Sequence, residues 1–286
     1  MSDQGDEPSS TGQHAQFLAA SLLDEGLPFD LTYRAAKNFS ERCEAVLYLL
    51  PPTDAVLTVK LMAAQTIALS HGQIEAARDA AKATQAMADR LDDEVAQAYA
   101  HLAWGYTHPL PEHSTRRVEN AYAVLDIATR HKESELFPAT YALLLVALLE
   151  LGEIRTLDVE LLEQRDADLS FGGSNHAQVI DWFYCLRSIL DGDTDSAEKQ
   201  ALGIYNQATA NDTDALALYT AQTGMIRWMR GELEGFEDSL LAARREYPEQ
   251  YLWAASLAWL WLLQGRKSAS ESVMRSLPAI DEIPQD

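Results

Sequence analysis

Cysteine is scarce in this 286-residue sequence. Cys43 and Cys185 are the two cysteines, they lie far apart, and they form no CxxC pair. A disulfide framework or a cysteine-ligated zinc site needs several cysteines at characteristic spacings. Neither is indicated here, and the cysteine content favours a reducing compartment.

Basic residues are also few. The sequence has 22 lysines and arginines against 44 aspartates and glutamates, which gives a formal net charge of −22. Such a field repels the phosphates that a nucleic-acid-binding protein has to neutralise, so we expect no direct binding to nucleic acid. A well-solvated acidic surface explains the charge, and a dedicated site for a basic partner is the alternative.

Long apolar runs are missing as well, and we expect no secretory signal. The longest apolar stretches, residues 141–149 and 253–263, are broken by polar residues or too short to span a bilayer. Residues 1–13 have neither the basic nor the apolar segment of a secretory signal. We therefore expect a soluble, cytoplasmic protein with no membrane partner.

Helical periodicity is present almost throughout, whereas strand-like alternation is nearly absent. Apolar residues at i, i+3 and i+4 recur in long segments rich in alanine and leucine. These segments are residues 55–70, 94–106, 135–151, 177–190, 215–230 and 249–264. More polar amphipathic segments lie between them, and the pattern predicts an all-α fold.

A glycine recurs between the two helices of each pair, where it supplies the left-handed conformation that ends a helix. The turn glycines are Gly72, Gly152, Gly192, Gly231 and Gly265, at intervals of 80, 40, 39 and 34 residues. A proline-containing stretch, residues 107–111, stands where one glycine is missing. A period of about 34 to 47 residues with two helices per unit is typical of a solenoid of helical hairpins.

These marks divide the chain into four parts. We predict a disordered acidic tail at residues 1–13, a capping helix pair at 14–53, six hairpins within 54–278 and an acidic coil at 279–286. The predicted hairpins are residues 54–92, 93–133, 134–172, 173–212, 213–247 and 248–278.

Around the glycine turns the units resemble tetratricopeptide repeats. Such repeats favour small residues seven positions before the turn glycine, as at Gly224 and Ala258, and alanine five positions after it, as at Ala77 and Ala197. The spacing here is nearer to 40 residues than to about 34. The resemblance implies a right-handed superhelix of antiparallel hairpins that binds partners.

Residues 49–277 are also similar to the helical-repeat region of large bacterial regulators of the LuxR and maltose-regulator kind. The segments that carry this likeness are residues 49–52, 149–153 and 219–222. It implies a sensor or partner-docking role. ATPase and promoter-binding activities are not implied, because the sequence has no GxxxxGKS/T loop and no basic helix-turn-helix.

Counting back from the turn glycines predicts which side chains line the groove of such a solenoid. The predicted groove residues are Met62, Trp104, Val146, Trp182, Met225, Trp228 and Trp259. An apolar, aromatic groove suits an amphipathic helix or a hydrophobic small molecule. The alternative is that these tryptophans pack between hairpins as core residues.

Chemistry-bearing motifs are absent: the sequence has no HExxH, GxSxG or GxGxxG motif and no EF-hand loop, so we expect no cofactor. His101, His108 and His113 cluster near Glu112, but no cysteine completes a zinc set, and we expect a solvated loop without a metal. Asp181 lies in an apolar segment, where a carboxyl group has a raised pKa suited to acid–base chemistry. The alternative for Asp181 is a structural role, such as pairing with an arginine or tyrosine of a neighbouring hairpin.

The sequence favours a non-catalytic binding module, a scaffold or sensor that takes a protein or peptide segment or an apolar small molecule in its groove. The alternative is a motif-less helical-repeat enzyme with isomerase- or cyclase-like acid–base chemistry at Asp181. Binding is favoured because an active site needs several converging polar groups and only one candidate is found. The oligomeric state does not follow from the sequence.

Overall fold

The computed structural model describes residues 10–30, 33–51, 55–166, 173–208, 215–248 and 250–278. Every regular element in this part of the chain is a helix, which confirms the all-α prediction. The helices are α1 Ser10–Leu23, α2 Tyr33–Leu49, α3 Val56–Ser70, α4 Ile74–Leu91, α5 Glu94–Thr107, α6 Ser114–His131, α7 Leu136–Glu150, α8 Ile154–Asp166, α9 Gly173–Leu190, α10 Thr194–Ala208, α11 Ala215–Arg230, α12 Phe236–Glu246, α13 Tyr251–Leu263 and α14 Lys267–Met274. A short 3₁₀ helix, Pro111–His113, precedes α6. None of the described helices combines the length and apolar character needed to cross a membrane.

The predicted N-terminal tail and C-terminal coil fall mostly or wholly outside the described residues. Residues 1–9 of the tail and 279–286 of the coil are not described. Helix α1 begins at Ser10, four residues before the predicted start of the capping pair. Residues 10–13 are therefore helical, and the tail prediction is wrong for them.

The chain divides into two compact units. Unit 1 contains α1–α7 and the first part of α8, which ends at Glu160. Unit 2 contains the rest of α8 and α9–α14, except for the first residues of α9, which belong to unit 1. In unit 1, α1 and α2 pack on α3. Both helices of the next hairpin, α3 and α4, pack on α5, and α6 packs on α7 of the following hairpin. In unit 2, α10 packs on α11, α12 on α13, and α13 on α14.

Four of the five turn glycines have the predicted left-handed conformation. Gly152, Gly192, Gly231 and Gly265 have φ between 71° and 79°, and the residue after each donates its N–H to a carbonyl five residues earlier over 2.8–3.0 Å. These bonds satisfy carbonyl groups that a helix end leaves unpaired. Gly72 differs: its φ is 144°, and the next residue bonds only four residues back.

Gly224 lies where α11 crosses α12 closely. A Cβ atom at Gly224 would lie 2.3 Å from Cζ of Phe236, and Phe236 is buried in the core of unit 2 with Leu240 and Trp253. Gly203, within α10, has no neighbouring atom within 4 Å of such a Cβ. The two helical glycines thus differ in whether the fold leaves room for a side chain.

Alanine at these two glycines is expected to change stability in opposite directions. Gly224→Ala should lower the free energy of unfolding by about 1–3 kcal/mol, because the Phe236 ring has to move within a packed core. Gly203→Ala should raise it by about 0.5–1 kcal/mol, since glycine within a helix is less favourable than alanine. Urea denaturation of both variants measures the difference, and shifts of the same sign would contradict the close packing at Gly224.

Candidate functional site

Two exposed tryptophans contact each other in unit 2. Trp228 of α11 and Trp259 of α13 have ring centroids 5.9 Å apart with the planes at 68°, an edge-to-face arrangement typical of attractive aromatic pairs. Their side chains are nevertheless 50% and 41% exposed. The contact joins the exposed faces of two helices that are not adjacent in sequence.

Further apolar side chains continue this surface along both helices. Met225 and Met229 lie within one turn of Trp228 on α11, and residues at spacings of three, four or seven from Trp259 share its face of α13. We call this set the α11/α13 surface; its members are Met225, Trp228, Met229, Leu252, Trp259, Leu262 and Leu263, each 41–61% exposed. Met225, Trp228 and Trp259 were predicted from the sequence, and the other four were missed.

The composition of α13 explains why its apolar residues reach both the core and the surface. No residue between Tyr251 and Leu263 carries a charged group at neutral pH. Trp253, Leu257 and Leu260 pack into the core of unit 2, so the remaining face has apolar side chains left over. A helix that is apolar all round is normally buried on all sides, and an exposed face of this kind marks an interaction site. This composition was the signal by which the three missed residues of α13, Leu252, Leu262 and Leu263, could have been found.

Trp182 is placed differently from Trp228 and Trp259. It packs against the buried core cluster that contains Cys185, Ile189 and Ile226. Its indole N–H is buried and has no hydrogen-bond partner among the described residues. This contact favours the packing alternative for Trp182, and its place in a groove stays a prediction.

The three predicted groove residues of unit 1 do not form an apolar cluster of this kind. Met62 on α3 and Trp104 on α5 are half-buried, and Val146 on α7 is exposed. Trp104 is stacked on His108, and the guanidinium carbon of Arg116 lies 4.1 Å from its ring centroid. The surroundings of Trp104 are thus polar and cationic, contrary to the prediction. That all seven predicted residues share one groove stays a prediction.

The catalytic candidate Asp181 is exposed on α9, and is not enclosed as its apolar segment suggested. Partial burial of the carboxyl group still raises its pKa, in the direction that the sequence indicated. A raised pKa on a single exposed carboxyl group does not supply the converging groups of an active site. Acid–base catalysis by Asp181 stays a hypothesis.

The histidines around the proline-containing stretch do not assemble a metal site. Among the described residues, no group of three or more histidine, cysteine, aspartate and glutamate side chains is arranged to hold a metal ion. His101 is half-buried on α5, and burial lowers its pKa. His108 and His113 contact each other as rings, 5.1 Å apart.

An ionic cluster that the sequence did not suggest lies inside unit 1. Lys60 of α3 bonds Glu133 and lies 3.3 Å from Oε1 of Glu135, and the buried Tyr99 donates its hydroxyl to the same oxygen over 2.9 Å. Burial raises the pKa of Tyr99, with a contribution from Glu135. The groups are paired with each other, and the cluster ties α3 and α5 to the connection between α6 and α7. We interpret it as structural.

Comparison with known proteins adds no relative to these observations. No family model matches the sequence, and neither the curated proteins nor the solved structures contain a significant match.

Proposed function

We propose that this protein is a non-catalytic binding module in which the α11/α13 surface binds an amphipathic helix of a partner protein. The observation that carries the proposal is the contact between two half-exposed tryptophans, each on a helix that exposes further apolar side chains. Tryptophan is enriched among the residues that dominate binding energy, and methionine adapts its shape to a partner.

The proposed architecture is a right-handed, tetratricopeptide-like solenoid of antiparallel hairpins. It is supported by the succession of helical pairs, by the left-handed turn glycines within the pairs, and by the packing of each hairpin of unit 1 on the next. In such a solenoid the first helices of successive hairpins line one face. Helices α11 and α13 are the first helices of their predicted pairs, so the proposed solenoid would have the α11/α13 surface on that face.

The size and openness of the surface favour a helix over the other occupants. A fully exposed aromatic side chain has about 200 Å² of accessible surface, and an aliphatic side chain about half of that. The seven side chains of the α11/α13 surface are about half exposed and therefore offer on the order of 400 Å² of apolar surface. A stable dimer buries about 800 Å² per partner, roughly twice as much. A small molecule is normally enclosed over most of its surface, whereas these side chains stand open. From Leu252 to Leu263 the face is about 16 Å long, which matches three turns of a helix.

Binding of model peptides tests this proposal. The probe is a fluorescein-labelled peptide of 16 residues with leucine at i, i+3, i+4 and i+7 and equal numbers of lysine and glutamate elsewhere. The control peptide has the same composition in scrambled order. We expect fluorescence anisotropy to show tighter binding of the amphipathic peptide. The double variant Trp228→Ala/Trp259→Ala should weaken binding at least tenfold, because it removes the central anchors.

A matched protein control separates specific from general apolar binding. Leu202→Ala removes another exposed apolar side chain of unit 2, on α10, and should change the affinity less than twofold. Equal binding of both peptides, or equal losses in both protein variants, would contradict the proposal. Sedimentation of the wild-type protein as a dimer that Trp228→Ala/Trp259→Ala dissociates would instead assign the surface to a second copy of the chain.

A further inference from the structure

The turn between α5 and α6 lies in a part of the chain that is poor in acidic residues. Residues 95–118 contain one acidic residue, Glu112, together with two arginines and three of the seven histidines. The whole chain, in contrast, has 44 acidic residues against 22 lysines and arginines. This turn is therefore a local exception to the acidic character of the protein.

Arg116 is the exposed cation of this turn. Its guanidinium carbon lies over the ring of Trp104, 4.1 Å from the ring centroid. Within the described part of the chain Arg116 has no carboxylate partner, whereas the neighbouring Arg117 is buried and paired with Glu150. Cation–π attraction holds a guanidinium in place without neutralising its charge. Arg116 is thus a positioned cation whose charge is available to a ligand.

The position of Arg116 along its helix is electrostatically unfavourable. Arg116 lies in the first turn of α6, and this turn contains no acidic residue. The positive end of the helix dipole disfavours a cation there. An anion bound at Arg116 would offset this repulsion.

Two histidine rings contact the same indole. His108 is stacked on Trp104 with centroids 4.3 Å apart, and His113 lies edge-on to both rings. Nδ1 of His108 lies 2.8 Å from the backbone oxygen of Trp104. A carbonyl oxygen only accepts hydrogen bonds, so Nδ1 carries the proton and Nε2 can take up a second proton without breaking this bond. His108 can therefore become a cation in place, stacked on an indole.

The groups around His108 set how protonation depends on a bound anion. Those that face it from the elements packed around it are Arg78 of α4, His113 of the 3₁₀ helix and Arg116 of α6. The carboxylate of Glu112 lies 3.6 Å from Nε2 of His113. Burial and the neighbouring cations lower the pKa of His108, whereas an anion bound beside it would raise this pKa. Anion binding and protonation of His108 therefore favour each other.

We propose that Arg116, His108 and His113 around Trp104 form a binding site for a doubly charged phosphate or sulfate group. A guanidinium can donate to two oxygens of such a group at once, and a tetrahedral anion has further oxygens for imidazole N–H donors. A carboxylate has only two oxygens and one charge to offer. The site belongs to unit 1 and shares no residue with the α11/α13 surface of unit 2, so it does not depend on the function proposed for that surface.

Titration of the full-length protein with sodium sulfate tests the site, with sodium chloride added to keep the ionic strength constant. Sulfate carries two charges at both pH 6.0 and pH 7.5, so any pH dependence comes from the protein. We expect the histidine ring signals of His108 and His113 and the indole N–H signal of Trp104 to shift saturably in NMR spectra. Binding should be at least about threefold tighter at pH 6.0, because a histidine with an ordinary pKa of about 6.5 gains charge over this range. Shifts that do not saturate, or equal affinities at the two pH values, would overturn the proposal.

Substitutions separate the site from a general ionic effect. Arg116→Gln should weaken sulfate binding at least about fivefold, because it removes the charge and the paired donors. The matched control is Arg130→Gln, at another arginine of α6, which is paired with Glu94 and Asp126; it should change the affinity less than about twofold. His108→Gln should bind sulfate at pH 7.5 like the wild type and lose the increase at pH 6.0. Equal losses in Arg116→Gln and Arg130→Gln would overturn the proposal.

Two further probes distinguish a free ion from a phosphate group carried by a larger molecule. They are inorganic phosphate and phenyl phosphate, followed through the same NMR signals at pH 7.5. Tighter binding of inorganic phosphate would assign the site to a free ion, and tighter binding of phenyl phosphate would assign it to a phosphate monoester. Binding of neither would overturn the proposal.

Discussion

Replacing Glu150 with alanine is expected to lower the free energy of unfolding by about 3–5 kcal/mol, the largest single effect that we predict. Glu150, at the end of α7, bonds the guanidinium of Arg117 and the hydroxyl of Ser114 on α6. The side chain of Arg117 is only 3% exposed, so removal of the carboxylate leaves a buried positive charge without its counterion. Chemical denaturation followed by circular dichroism measures the loss.

The partner of the pair supplies the control. Arg117→Met replaces the buried guanidinium with an uncharged side chain of similar length. It should lower the free energy of unfolding by less than Glu150→Ala does, because no unpaired ion remains inside the protein. Glu94→Ala breaks only exposed ion pairs with Arg130 and His131 and should cost under about 1 kcal/mol. If Glu150→Ala were as mild as Glu94→Ala, the ion pair at Arg117 would not be the buried contact described here.

Trp182→Ala is expected to cost about 3 kcal/mol of folding stability, whereas Trp228→Ala should cost less than about 1 kcal/mol. The reason is that Trp182 packs on the core cluster around Cys185 and Ile226, so its loss opens a cavity. Half of Trp228 is already exposed to solvent. Urea denaturation gives both values, and acrylamide quenching of the remaining tryptophan fluorescence shows which variant lost an accessible ring.

A conservative substitution at Trp182 separates the contribution of ring packing from that of the indole N–H. The buried indole N–H of Trp182 has no hydrogen-bond partner among the described residues, and an unsatisfied buried donor is costly. Trp182→Phe removes that donor and keeps most of the ring, so it should be close to neutral. Stability losses of equal size in Trp182→Phe and Trp182→Ala would mean that the N–H, and not the ring packing, matters at this position.

Local sequence chemistry accounts for the helices and for the turns inside the hairpins. Gly152, Gly192, Gly231 and Gly265 adopt the left-handed conformation that their position in the pattern predicts. Two of the turns between hairpins have no such glycine, and there Asp92 and Lys132 adopt positive φ angles of 51° and 62°. Lysine rarely adopts this backbone conformation, and aspartate adopts it less readily than glycine, so neither residue predicts it as clearly as a glycine does.

The candidate site was predictable only in part. The turn glycines gave a register that places Met225, Trp228 and Trp259 on open faces of their helices, but the same count placed Trp182 in the groove and Trp104 in apolar surroundings. Periodicity indicates which residues share a face of one helix. It carries no information on which other helix covers that face, and this decides whether a tryptophan is buried or open.

By itself the sequence determined that this protein is helical and where most of its helices begin and end. It also determined that α13 has apolar residues on all of its faces. These properties depend on residues within a few positions of each other. The tertiary structure alone decided the pairings across the chain. Arg117 meets Glu150 across 33 residues and Lys60 meets Glu133 across 73. Trp228 meets Trp259 on a surface that both helices leave open. Such contacts depend on how the helices pack, and the free energy of packing is shared among many residues that no local pattern connects.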